Sequence, residues 1–258
     1  IDSNDFLDNL QRQQIEKRLS LWLKKYLADH FGPLTKMLEA GTTGVVRGIL
    51  FHLVEGLGSV PRQTVRPLVN DLGQRGRKTL RAGGIKVGIS AVFFPVLLNV
   101  SKIRLRALLW SVARNAKLPN IEFDRCSATY PSALATKEFW QATGHDVFGD
   151  LALRLDRLEK VYELLIRRCR QGDFFVTPEI LALAQCDESG FGAIAKGLGF
   201  RMKENEEGLV IQLQPKTPRS KRNGKLTSGT KQKFQRKRQN PIDPDSPFAA
   251  LQDLVERK

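Results

Sequence analysis

The stretch that most constrains the fold is one that cannot form a core. Between Pro215 and Pro247 the apolar side chains are almost confined to Leu226, Phe234 and Ile242, set among Pro, Ser, Thr, Gly, Gln and Asn. So little apolar surface cannot offset lost chain entropy, so residues 215–258 are expected to be a disordered tail and any core must come from the preceding 214 residues. The tail also concentrates charge. From Gly208 to Asn240 there are ten bases and no acid: Lys216, Arg219, Lys221, Arg222, Lys225, Lys231, Lys233, Arg236, Lys237 and Arg238. Two thirds of the net +15 of the 258-residue chain sits there. Such a balance favours nucleic acid or an anionic membrane as the partner. The closing PFAALQDLVERK places Phe248, Leu251, Leu254 and Val255 on one side of a short helix. A helix that short is marginal alone and needs a partner surface.

Length and composition set the remaining bounds. At 41% hydrophobic, 258 residues suit one large domain or two small ones. Cys126, Cys169 and Cys186 are odd in number and form no CxxC pair, which fits a reducing cytoplasm rather than a disulfide framework. His30, His52 and His145 stand too far apart for a histidine-rich metal site. The longest apolar run, 13 residues from Gly88 to Val100, is interrupted by Pro95 and is too short to span a bilayer. The N-terminus carries no signal pattern and no initiator Met, so the chain is expected to be an excised piece of a longer one.

Periodicity gives a mainly α reading with a small β-hairpin and a winged-helix-like C-terminal unit. Ile15, Leu19, Trp22, Leu23, Tyr26, Leu27, Phe31 and Leu34 predict a helix with one wide apolar face, ended or kinked at Gly32-Pro33. A core-facing helix is the preferred reading, with a membrane-surface helix using Lys24 and Lys25 as the alternative. Further helices are expected over Gly44–Leu57, after Pro61 with Val65, Leu68, Val69 and Leu72 buried, and over Ser101–Arg114. Ile85, Val87 and Ile89 alternate with Lys86 and Gly88, predicting a hairpin over 85–94. Residues 1–115 form a helical region, 116–143 a loop-rich connector, and 144–214 a helical, winged-helix-like unit. In that unit a helix over Asp150–Arg170 precedes a Thr177-Pro178 helix start, a second short helix and the strand LVIQLQ.

The motifs of chemistry are missing from the chain. There is no GxxxxGK[ST] phosphate loop, no DExH-type acidic box, no GxGxxG after a strand and no GxSxG, so no catalytic residue is assigned. The helix-turn-helix-like stretch 177–201 offers only Lys196 on its second helix, which favours a packing unit over a major-groove reader. The candidate nucleic-acid contacts are the basic residues around the hairpin and in the tail. Around the hairpin lie Arg75, Arg77, Lys78, Arg81, Lys86, Lys102, Arg104 and Arg106, with Phe93 or Phe94 available to stack on a base. The alternative there is a solvated basic face with both phenylalanines in the core. In the tail the candidates are Arg219, Lys221, Arg222, Lys231, Lys233, Arg236, Lys237 and Arg238.

Several runs together resemble one family. HFGPL at 30–34, VVRGILFHLVEGLGSVPR at 45–62, GRKTLRAGGIKVG at 76–88, VFFPVLLNVSKIRLRALLWSV at 92–112, GHDVFGDLALRLDRLEKV at 144–161, LGFR at 198–201 and DPDSPFAAL at 243–251 carry it. They resemble the C-terminal region of alphaproteobacterial superfamily-2 DExH-type helicases, which are similar to the mitochondrial degradosome RNA helicase. The resemblance implies a piece downstream of two motor domains, where ATP and Mg would bind, so no cofactor is expected in this chain. The family's catalytic motifs match nothing here. Where relatives carry Lys-Pro after the VFxPxLL run, this chain has Asn99-Val100, so no phosphate contact carries over at that point.

The expectation is therefore a cytoplasmic accessory region of an ATP-dependent helicase. It would bind single-stranded RNA without sequence readout and pack on the motor domains of the same protein. The alternative is a protein-docking scaffold for a nuclease of an RNA-decay assembly, without nucleic-acid binding of its own. A peripheral membrane role through residues 15–34 is a third reading, and no membrane partner is expected.

Overall fold

A computed structural model describes residues 8–205 and 208–213. Asp8 and Gln11 close a capping box at the start of α1 (Asn9–His30), with the Asp8 N–H donating to Gln11 Oε1 at 3.1 Å. The helix stops at Phe31, and Pro33 opens α2 (Gly32–Glu39) in its first turn, as the Gly-Pro pair predicts. The core-facing reading of α1 is corrected: none of its residues is buried. Leu10, Ile15, Leu19, Leu21, Leu23 and Trp22, the last 59% exposed, all face solvent. Only the final turn is held, through Tyr26 and Leu27, because the buried Phe31, Leu34 and Met37 anchor the chain just beyond it. Periodicity shows that a helix has an apolar face; it does not show what covers that face.

The next elements build one cluster of buried side chains. They are α3 (Gly44–Glu55), β1 (Ser59–Pro61), α4 (Arg66–Asn70), α5 (Gln74–Ala82), β2 (Lys86–Val87) and β3 (Ala91–Phe93). β3 is central, pairing antiparallel with β1 (Val60 opposite Val92) and with β2 (Val87 opposite Val92). The predicted hairpin is therefore present, closed by the Gly88 N–H donating to Ala91 O at 2.8 Å, and it carries a third strand from Ser59–Pro61. Ile49, Leu50, Leu53, Val65, Val69 and Leu80 are buried beneath it.

A 3-10 turn at Pro95–Leu98 leads into α6 (Val100–Arg114). This helix serves two clusters directly. Leu105 and Leu109 join the first; Ile103 and Ala107 join an aromatic cluster with Phe123, Tyr130, Phe139 and Trp140. The 116–143 stretch, read as loop-rich, supplies β4 (Thr129–Pro131) and α7 (Lys137–Ala142) to that aromatic cluster. Thr136 caps α7, and the Trp140 Nε1–H donates to Ser132 O at 3.0 Å.

β5 (His145–Phe148) and β6 (Leu151–Arg154) follow, in the order β4-β6-β5, all antiparallel. The helix expected from Asp150 begins only at Leu155: Leu151–Arg154 is strand, and α8 spans Leu155–Cys169. Then come β7 (Phe174–Phe175), α9 (Pro178–Ala184), α10 (Glu188–Gly197), β8 (Phe200–Asn205) and β9 (Gly208–Leu213), with sheet order β7-β9-β8. Their apolar faces enclose Leu158, Val161, Leu165, Ile180, Phe191 and Ile194. Phe93 and Leu98 from the earlier half join this same cluster, so the described residues belong to one unit. The described chain is mainly helical with small antiparallel sheets, and no described helix is long and apolar enough to cross a membrane.

His145, 1% exposed, sits among Phe123, Tyr130 and Trp140, with Nδ1 3.2 Å from Thr143 Oγ1. Burial, together with the charges of Arg106 and Arg154, pushes its pKa down to about 3. As pH falls through 6.5 the unfolded chain takes up a proton that the folded chain refuses, so stability is lost down to about pH 3. Denaturant unfolding across pH 3 to 6.5 should show wild type losing about 1 kcal/mol per pH unit more than His145→Gln.

Candidate nucleic-acid interface

α5 is the most basic described helix. Leu80 is buried in the first cluster, which leaves Arg75, Arg77, Lys78 and Arg81 exposed on the rest of the helix surface, with no acid between Gln74 and Ala82. Arg77 is steadied by an Nε–H···O bond of 3.3 Å to Leu72. Arg77 and Arg81, four residues apart, line a recess with Gly84, Ile85, Lys86 and Val87. All four cations of the predicted patch on α5 face solvent, and Arg77 and Arg81 share one side of the helix.

The other members are placed differently. Lys86 forms ion pairs with Glu163 at 3.0 Å and with Glu159 at 3.5 Å, both on α8. Burial opposes its charge, but the hydrogen bond to Glu163 and the two carboxylate charges outweigh it and raise its pKa. Its charge is thus already met inside the protein. Lys102, Arg104 and Arg106 do not share a face, because residues two apart on a helix point to nearly opposite sides. Lys102 is half-exposed, and exposed Arg104 donates from Nη2 to Phe123 O at 2.6 Å.

Arg106 is corrected outright: it is 0% exposed and cannot reach a phosphate. It donates from Nη2 to Ser59 Oγ at 2.5 Å and from Nη1 to Leu97 O at 3.4 Å. Desolvation alone lowers its pKa to about 9. Phe93 and Phe94 are likewise buried, so neither can stack on a base. Arg219, Lys221, Arg222, Lys231, Lys233, Arg236, Lys237, Arg238 and the Phe248–Val255 helix lie outside the described residues.

A second basic surface escaped the sequence reading. A solvent-open groove of about 730 Å³ runs between the β1–α4 connection, the β2–β3 turn, α7, β5 and the end of α10. Arg62, Arg66 and Lys137 line it, with Gln63, Asn70 and Gln141 beside them. No charge run announces it, because Arg62 and Arg66 stand apart among neutral residues and Lys137 is brought to them only by the fold.

Little in the described residues points to bond-making chemistry. Burial and the Asp187 charge push the Cys186 thiol up to about 11, so it is not a thiolate at neutral pH. No three His, Cys, Asp or Glu side chains gather to hold a metal among the described residues. No family model, no curated protein and no solved structure matches the chain.

The contrast between α5 and Arg106 is testable by thermal and denaturant unfolding. Arg106→Ala should cost about 3 kcal/mol, since it opens a cavity and strands the Ser59 and Leu97 partners. Arg75→Ala, Arg77→Ala, Lys78→Ala and Arg81→Ala should each stay within about 0.5 kcal/mol of wild type.

Proposed function

We propose that this chain is an accessory region of an ATP-dependent helicase, holding single-stranded RNA electrostatically and packing on the motor domains of the same protein. The observation that carries the binding half is α5, with four exposed cations and no acid. Exposed, unpaired Lys and Arg release counterions from a phosphate chain and bind it without reading its bases. The ten acid-free bases of the tail support the same role. The helicase assignment rests on the resemblance of the sequence runs. In it, ATP and Mg act in the motor, and the compartment is the cytoplasm.

The uncovered apolar strip of α1 supports the packing half, since Ile15, Leu19, Trp22 and Leu23 offer a surface that another part of an assembly would cover. The element order α8, β7, α9, α10, β8, β9, with β9 between its neighbours, supports a winged-helix-like reading of the C-terminal unit. Its second helix is suited to packing more than to groove reading. α10 buries Phe191, Ile194 and Ala195 and exposes Glu188 beside Lys196. The same α1 strip is the observation that favours the second reading, a scaffold docking an RNA-decay nuclease.

Fluorescence anisotropy with labelled single-stranded RNA, titrated with salt, separates the two. Each neutralised phosphate contributes about −0.7 to the log–log slope. The fourfold alanine variant of α5 should flatten that slope by about 2 to 3, and removing residues 215–258 should flatten it further. A wild-type chain that fails to bind RNA at low salt sinks the binding role and leaves the scaffold.

A further inference from the structure

We propose that the groove between β1–α4 and α7–β5 seats a single strand of nucleic acid. Its phosphates would lie on Arg62, Arg66 and Lys137. The class of ligand rests on the function proposed above; the location rests on the groove itself.

Charge is the argument. Three cations converge from two stretches, Arg62 with Arg66 and Lys137, against a single acid in the lining, Asp146, whose Oδ1 accepts the Val147 N–H at 2.9 Å. Arg66 and Lys137 are exposed and make no ion pair, while the Arg62 guanidinium is fixed by donating from Nη1 to Gly88 O at 2.7 Å. One fixed and two free cations along the same groove are anchoring points for a backbone that carries one charge per nucleotide.

Gln63, Asn70 and Gln141 beside the cations each present both a donor and an acceptor, which base edges can use.

The test uses the whole chain and a fluorescein-labelled oligouridylate of about twelve nucleotides, within the reach of a groove this size. Arg66→Glu with Lys137→Glu leaves the Arg62–Gly88 bond intact and should weaken binding at least tenfold at unchanged melting temperature. In parallel, 4-thiouridine in the same oligonucleotide should crosslink to wild-type peptides within residues 61–70 or 137–148. The crosslink map decides the matter even if the double variant fails to fold. If affinity is unchanged in the double variant, or crosslinks map only to α5 and the tail, the groove is not the seat while the wider RNA-binding role stands. No binding by wild type overturns both.

Discussion

A guanidinium sealed inside the protein with no carboxylate beside it is the constraint that the middle of this fold is built around. Burying an unpaired cation costs several kcal/mol, and here both Nη atoms find acceptors while the buried Nε has none. Arg106 takes Ser59 Oγ and Leu97 O, and the Ser59 hydroxyl donates in turn to Gln141 O at 2.7 Å. One side chain on α6 thereby ties together β1, the 3-10 turn and α7, segments up to 82 residues apart. The α7–β5 turn must also make room. Gly144 has φ +82, and a Cβ there would lie 2.3 Å from Leu98 and 3.0 Å from Arg106 Nη1. Glycine satisfies both the backbone angle and the space.

That hub lies under the groove. Ser59 is two residues from Pro61, and the Gln141 whose carbonyl receives Ser59 also lines the groove with its side chain. On the opposite side, Glu159 of α8, only 6% exposed, accepts the Ile89 N–H at 2.6 Å and so pins the β2–β3 turn. The walls that carry Arg62, Arg66 and Lys137 are thus positioned by buried polar contacts rather than by the surface cations themselves. Arg106 acts on the groove only in this indirect sense. It shapes a face that it never touches.

Long periodic elements were legible from sequence and short ones were not. α3, α6, most of α8 and the β2–β3 hairpin stand where the apolar spacing put them, because their length and repeat leave few alternatives. β4 and β5 were unreadable: three or four residues carry too little pattern, and their pairing is set by chain segments far away. Leu151 and Leu155 sit four apart and mimic a helical step, which hid β6 ahead of α8. The site divides the same way. The α5 cations were readable as a run, and their exposure follows from Leu80 alone pointing inward. Arg106 was misjudged because composition gives a charge but not a direction, and the groove went unseen because Lys137 lies far along the chain from Arg62 and Arg66.

The basic tail continues from β9, and β9 is the central strand of its sheet. It pairs with Phe200–Asn205 on one side and with Phe174–Phe175 on the other. A pull on the chain beyond Leu213 meets the β8 pairing first, at Leu213 and Gln212, and the β7 pairing only at Ile211 and Val210. The attachment is therefore graded: a one-sided stretch takes the load before the part of the strand held on both sides.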